Sequence, residues 1–181
     1  AIDALNSIAK VTDVVVTTMQ SASGAGRDGL ERYKDCGDVI AHCETFLENG
    51  YTTEEEKMLF ETRKVLNDND IKVTMTCVRV PVEVGHAASM LLSFETQVSL
   101  DEARSALNNY SGIELLDDHA NEVYPTAKSA AGKDSVQIGR LRLEHDGQRL
   151  WIWQVTDNLR KGAALNSIQI AEQLLPVQLS R

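Results

Sequence analysis

The run Asp13 to Met19 (DVVVTTM) is mostly β-branched, and it passes through Gln20 into Ser21-Ala22-Ser23-Gly24-Ala25-Gly26. Side chains branched at Cβ are stiff at χ1 and pack best on a pleated surface, so the run predicts a buried strand. The small residues after it let the backbone approach another group closely. A helix is expected over about Arg27–Lys34, and Asp35–Gly50 reads as part loop. Thr52-Thr53 before Glu54-Glu55-Glu56 is a helix start, with hydroxyl capping and acidic residues at the positive end of the dipole. Met58, Leu59, Thr62, Val65 and Leu66 then share a face, and Asn67-Asp68-Asn69-Asp70 ends the helix. Strands are expected at Ile71–Val82, His86–Gln97, Ile113–Leu116, Val136–Glu144 and Leu150–Thr156. Helices are expected at Leu100–Tyr110, entered through Ser99, and at Ala163–Leu175. Strands and helices mix without strict βαβ alternation. That order predicts one α+β domain with a mixed, largely antiparallel sheet and helices packed on one face.

Composition narrows the partners. The chain has 181 residues, 43% of them hydrophobic, which is ample for one core. A net charge of −9 with no cluster of Lys and Arg argues against a nucleic-acid or anionic-membrane surface. Runs such as Val14-Val15-Val16 fall far short of the roughly 20 apolar residues a bilayer span needs. With no signal-peptide pattern and three cysteines in no framework spacing, the expectation is a cytoplasmic protein with free thiols.

Chemistry is most legible in Cys77-Val78-Arg79-Val80-Pro81-Val82-Glu83-Val84-Gly85-His86. A guanidinium inside an apolar strand is costly unless an anion pairs with it, and its planar fork suits a carboxylate. His86 is a candidate acid/base group. Fully extended, seven residues would hold the two about 23 Å apart, so cooperation requires a turn near Glu83–Gly85. A structural salt bridge for Arg79 and a surface hairpin histidine remain open on these residues alone. Gln20 sits where a strand opens into the glycine turn. Glu54 and Lys57 form either an anion site or a solvated helix pair. Cys36, His42 and Cys43 lack the paired spacing of a zinc site, so no metal is expected. Trp151 and Trp153 alternate on one strand and are expected to pack or to line an interface. There is no G-x-G-x-x-G after a strand, no P-loop and no nucleophile elbow.

Several of these blocks together resemble the aspartate-semialdehyde dehydrogenase family. They are Gln20 with the Ser21–Gly26 turn, Asn49-Gly50-Tyr51-Thr52 with Glu54-x-x-Lys57, and the Glu61-Thr62-Arg63-Lys64 run. Cys77–Val82 with Gly85-His86 and Asp157-Asn158-Leu159-Arg160-Lys161-Gly162-Ala163-Ala164-Leu165-Asn166 complete the set. Their order matches that family's C-terminal catalytic and dimerisation region over almost the whole chain. The resemblance implies reversible, NADP-dependent reductive dephosphorylation of aspartyl phosphate to aspartate semialdehyde, on the route to lysine, threonine, methionine and diaminopimelate. It implies His86 as general acid/base, Gln20 orienting the reacting group and Arg79 on the substrate carboxylate. Lys57 would serve the phosphate, with Glu54 as its acidic neighbour. Ser23, Gly24 and Asn158 would lie near the nicotinamide. A homodimer through the exposed sheet face is expected, and a C-terminal helix, 161–181, packed on a cofactor domain.

The family also has a Rossmann domain and a thiolate nucleophile in an Asn-x-Cys-[Ser/Thr] setting. None of Cys36, Cys43 or Cys77 stands in that context, so the chain alone is expected to be inactive. The stretch Ala41–Phe46 is shorter than its family counterpart and lacks its Asn and Pro. The alternative is a non-catalytic dimeric scaffold of the same fold.

Overall fold

In the computed structural model, which describes residues 1–175, the β-branched run becomes β1, Val11–Gln20. The remaining strands are β2 (Lys72–Arg79), β3 (His86–Phe94), β4 (Ile113–Leu115), β5 (Val136–Leu143) and β6 (Arg149–Thr156). They form a six-stranded sheet in the order β2-β1-β3-β6-β5-β4. β1–β2 and β4–β5 are parallel, while β1–β3, β3–β6 and β5–β6 are antiparallel. The mixed, largely antiparallel sheet expected from the element order is therefore present.

Period-two alternation sorts the side chains. Val14, Val16, Thr18 and Gln20 of β1 are buried on one face, with Met75, Cys77 and Arg79 of β2 and Ala88, Met90 and Leu92 of β3. Three helices cover this inner face: α1 (Ile2–Asn6), α3 (Thr53–Leu66) and α4 (Leu100–Asn108). Leu5, Leu92, Leu107, Leu150 and Ile152 are fully enclosed there, each worth roughly 1.5–3 kcal/mol of apolar burial. Among the described residues the opposite face carries only one helix, α5 (Ala127–Ala130), near one end of β6, where Trp153 Nε1 donates to the Pro125 carbonyl at 2.9 Å.

Helix α3 starts where the sequence placed it. Thr52 Oγ1 accepts from Glu55 N, and the Glu55 carboxylate accepts from Thr52 N at 2.8 Å, closing a capping box. The second Glu55 oxygen accepts the Cys77 amide at 2.9 Å. One side chain thus caps the helix and docks it on the edge strand β2. Helix α4 has the same box between Ser99 and Glu102.

The structure corrects several boundaries. The strand expected to reach Val82 ends at Arg79, because Val80 N donates to the Gln20 carbonyl, Val82 N folds back to Val80 O, and Pro81 has no N–H to continue a ladder. Strand β3 stops at Phe94 rather than Gln97. Helix α2 spans Gly26–Tyr33, one residue earlier than expected. The final helix begins as a π-wound turn, Arg160–Ala164, and continues as α6, Leu165–Leu174. The remainder of the expected 161–181 packing helix, residues 176–181, lies outside the described residues. Among the described residues no helix is long and apolar enough to cross a membrane.

Candidate active site

Three neighbouring strands end together. Gln20 closes β1 and pairs with Arg79, which closes β2, while His86 opens β3 one step beyond the Met19–Ala87 pair. All three side chains project to the inner face. The reversal expected near Glu83–Gly85 occupies Val80–Gly85, so the extended separation of Arg79 and His86 never arises.

Gly24 shows that the two groups meet at one point of the turn. A Cβ built on it would stand 2.6 Å from His86 Cε1, 2.7 Å from His86 Nε2 and 3.0 Å from Arg79 Nη1. Both side chains pack against one α-carbon, and even a methyl group there would collide with them, so the position requires glycine.

Arg79 is 4% exposed, yet among the described residues no carboxylate forms an ion pair with it. Its Nη1 donates to the Ser21 carbonyl at 2.8 Å, and its Cζ lies 5.8 Å from the centre of the Tyr33 ring. One carbonyl and one aromatic face leave most of the guanidinium fork without an acceptor. The structural salt bridge left open by the sequence is absent. The guanidinium therefore has donors free for an anionic ligand.

His86 is largely buried, and burial first, then the nearby Arg79 charge, pushes its pKa down to about 4; Glu54 opposes the shift. The ring is therefore neutral at pH 7. Gln20 Nε2 donates to Glu54 Oε1 at 3.2 Å, and Glu54 Oε2 holds Lys57 Nζ at 3.4 Å. Glu54 raises the Lys57 pKa, keeping the ammonium charged at the open side of the site.

Asn158 braces the arrangement from the loop after β6. Its Oδ1 accepts the Gly85 amide at 2.9 Å and the Ser21 hydroxyl at 3.1 Å, while Nδ2 donates to Ser23 Oγ at 3.0 Å. The neighbouring Asp157 carboxylate accepts from the Gly132, Leu159 and Arg160 amides and fixes that loop. All eight residues singled out in the sequence thus join one connected cluster. Sequence reasoning passed over Ser21, whose amide and hydroxyl both reach His86 Nδ1, and Tyr33 beneath Arg79. The signal for Ser21 was its place between Gln20 and Ser23 in the small-residue turn.

None of the three cysteines is poised as a thiolate in this cluster. Burial pushes Cys43 up to about 11 and also raises Cys77, while the exposed Cys36 donates its thiol to the Asp38 carbonyl. Among the described residues no three His, Cys, Asp or Glu side chains converge as a metal cage.

Comparison with known proteins gives a consistent answer. Residues 2–161 match the family described as semialdehyde dehydrogenase, dimerisation domain. The aspartate-semialdehyde dehydrogenase of Aquifex aeolicus is 40% identical over 92% of this chain and 56% of its own length. That of Bacillus subtilis is 31% identical over 99% of this chain and 60% of its own. A crystal structure of Vibrio cholerae aspartate semialdehyde dehydrogenase II complexed with ASA superposes with a TM-score of 0.88 at 35% identity, over 94% of this chain and 56% of that one. The chain spans little more than half the length of the relatives it matches. Its strand order, its converging strand ends and its match over residues 2–161 place it in one family: the chain belongs to the semialdehyde dehydrogenase dimerisation-domain family.

Proposed function

We propose that this chain is the acid/base and substrate-binding half of an aspartate-semialdehyde dehydrogenase, catalysing NADP-dependent reductive dephosphorylation of aspartyl phosphate. The observation that carries this reading is Arg79, buried beside a neutral imidazole at Gly24 with no carboxylate paired to it among the described residues. Its fork accepts the substrate carboxylate. Gln20, held by Glu54, presents its remaining amide oxygen to the reacting end, and Lys57 offers a cation for a phosphate. His86 Nε2, beside Gly24, gives or takes the proton there. The thiolate that forms the acyl-enzyme thioester is none of Cys36, Cys43 and Cys77, on the grounds of their settings.

Gly24 and Ser23 stand on the turn against which His86 and Arg79 pack. Those residues would meet the nicotinamide end of NADP, which supplies the hydride when bound. Asn158 has both ends of its amide engaged by the turn, so its service to the cofactor is to hold Ser23 and Gly85 in place. The glycine-rich phosphate loop of a dinucleotide site is not among these residues, and the rest of the cofactor would rest on another domain. The exposed apolar residues of α6, Ile168, Ile170 and Leu174, suit such a neighbour. A biosynthetic role toward lysine, threonine, methionine and diaminopimelate, in the cytoplasm, follows from the same reading.

The test is complementation. The chain alone should not reduce NADP with aspartate semialdehyde and phosphate, whereas mixing it with the cofactor-binding half of a relative should restore turnover. Loss of that turnover on Arg79→Met supports the reading. Turnover by the chain alone, or by the Arg79→Met mixture at the wild-type rate, contradicts it.

A further inference from the structure

Two donors or acceptors from one residue meet one nitrogen of His86. Ser21 N lies 3.1 Å and Ser21 Oγ 3.0 Å from Nδ1. Which of them bonds depends on where the hydroxyl proton points, and Asn158 decides that. The Gly85 amide can only donate, so the Asn158 atom it meets at 2.9 Å is the carbonyl oxygen, which fixes the amide flip. Ser21 Oγ lies 3.1 Å from that same oxygen and donates its single proton to it. Ser23 Oγ stands 3.3 Å away and is itself held by Asn158 Nδ2. The Ser21 hydroxyl therefore turns a lone pair, not a proton, toward His86.

Nδ1 is thus bracketed by one group that can only donate and one that can only accept. With Nδ1 bare, the amide bond forms but the hydroxyl lone pair faces the ring lone pair. With Nδ1 protonated, the hydroxyl accepts while the amide proton faces the ring proton. Each tautomer satisfies one contact and frustrates the other, which offsets the usual advantage of either. We propose that Ser21, oriented by Asn158, is a positioning residue that holds the two neutral tautomers of His86 near balance, so that Nε2 presents either a proton or a lone pair beside Gly24.

The consequence is chemical. Nε2 is the nitrogen beside Gly24 and Arg79, where a reacting atom would stand. A bare Nε2 can accept a proton, and the imidazolium so formed returns it in the reverse direction, whereas a protonated Nε2 donates a hydrogen bond to a ligand oxygen. Burial and Arg79 keep the ring neutral at pH 7, with Glu54 the opposing charge, so the tautomer rather than the charge is the variable. This deepens the reading of His86 as the acid/base group and rests on it for its purpose, but not for its test.

Long-range ¹H–¹⁵N spectra of the labelled chain read the protonation of each ring nitrogen without substrate or cofactor. His86 is distinguished from His42, His119 and His145 by the signals lost in His86→Gln. In the wild type, Nδ1 and Nε2 should show intermediate, exchange-averaged shifts. Ser21→Ala keeps the amide and removes the acceptor, so Nδ1 should become fully unprotonated and Nε2 fully protonated, and Ser21→Thr should restore the intermediate values. Identical Nδ1 shifts in wild type and Ser21→Ala, in folded proteins with matching amide spectra, overturn the proposal. Failure here would leave the binding role of Arg79 and the complementation result untouched.

Discussion

At the scale of single residues, the site depends on charge that the fold leaves uncompensated. His86 takes a pKa of about 4 in the folded chain against its ordinary 6.5. Its folded value is depressed, so the unfolded chain binds more protons between these limits. The stability contribution of the neutral ring is complete above about pH 6.5 and is lost as pH falls toward 4. We expect the urea midpoint of the wild type to drop more steeply than that of His86→Gln across this window. A constant difference between the two would contradict a depressed pKa. Arg79 and His86 were legible as chemistry because each is out of place in an apolar segment. Asn158 was singled out only through the family resemblance, as a residue near the cofactor, and its bracing contacts were not legible at all. Its three contacts, to Ser21, Ser23 and Gly85, come from segments far apart in the sequence, and no local pattern reports such a meeting.

At the scale of elements, the sequence succeeded where a hydrophobic period was long enough to count and failed where it was not. Strand β1 and helix α3 are each long enough to show their period, and both appear where expected. Helices α1 and α5 have five and four residues, too short to show a helical stripe, and sequence reasoning found neither. The end of β2 was misplaced by three residues, from Val82 to Arg79, because the apolar run continues into a turn held by the Gln20 carbonyl. The outer sheet face raises a different matter. Val15 pairs with Leu91, and Leu91 with Trp151, so one apolar row crosses three strands with no helix above it among the described residues. Val15 is 45% exposed at its end. We propose that this face pairs with a second copy, as the dimerisation-domain family suggests. Sedimentation at micromolar concentration should give twice the 20.0 kDa chain mass, and Val15→Asp should return it to one. A monomeric wild type would contradict this.

At the scale of the molecule, the architecture explains why distant residues cooperate. A mixed sheet brings the C-terminal ends of parallel β1 and β2 beside the N-terminal end of antiparallel β3, so Gln20, Arg79 and His86 meet without proximity in sequence. Helix α3, docked by Glu55 on Cys77, then delivers Glu54 to Gln20 and Lys57 to the rim. The core supplies a rigid floor, and the glycine turn lets His86 and Arg79 approach the backbone closely. A buried guanidinium with no ion-pair partner among the described residues costs stability, so an apolar side chain of similar size in its place should be neutral or stabilising. Arg79→Met should therefore fold while losing its ligand. The most direct measurement is a titration of the chain with L-aspartate β-semialdehyde, followed through the His86 ring resonances. The wild type should show a saturable shift at His86, and Arg79→Met should bind at least about 10-fold more weakly, the loss of a charge-assisted hydrogen bond. Equal binding by both proteins, or saturation that leaves His86 unmoved, would show that the two groups do not serve one ligand.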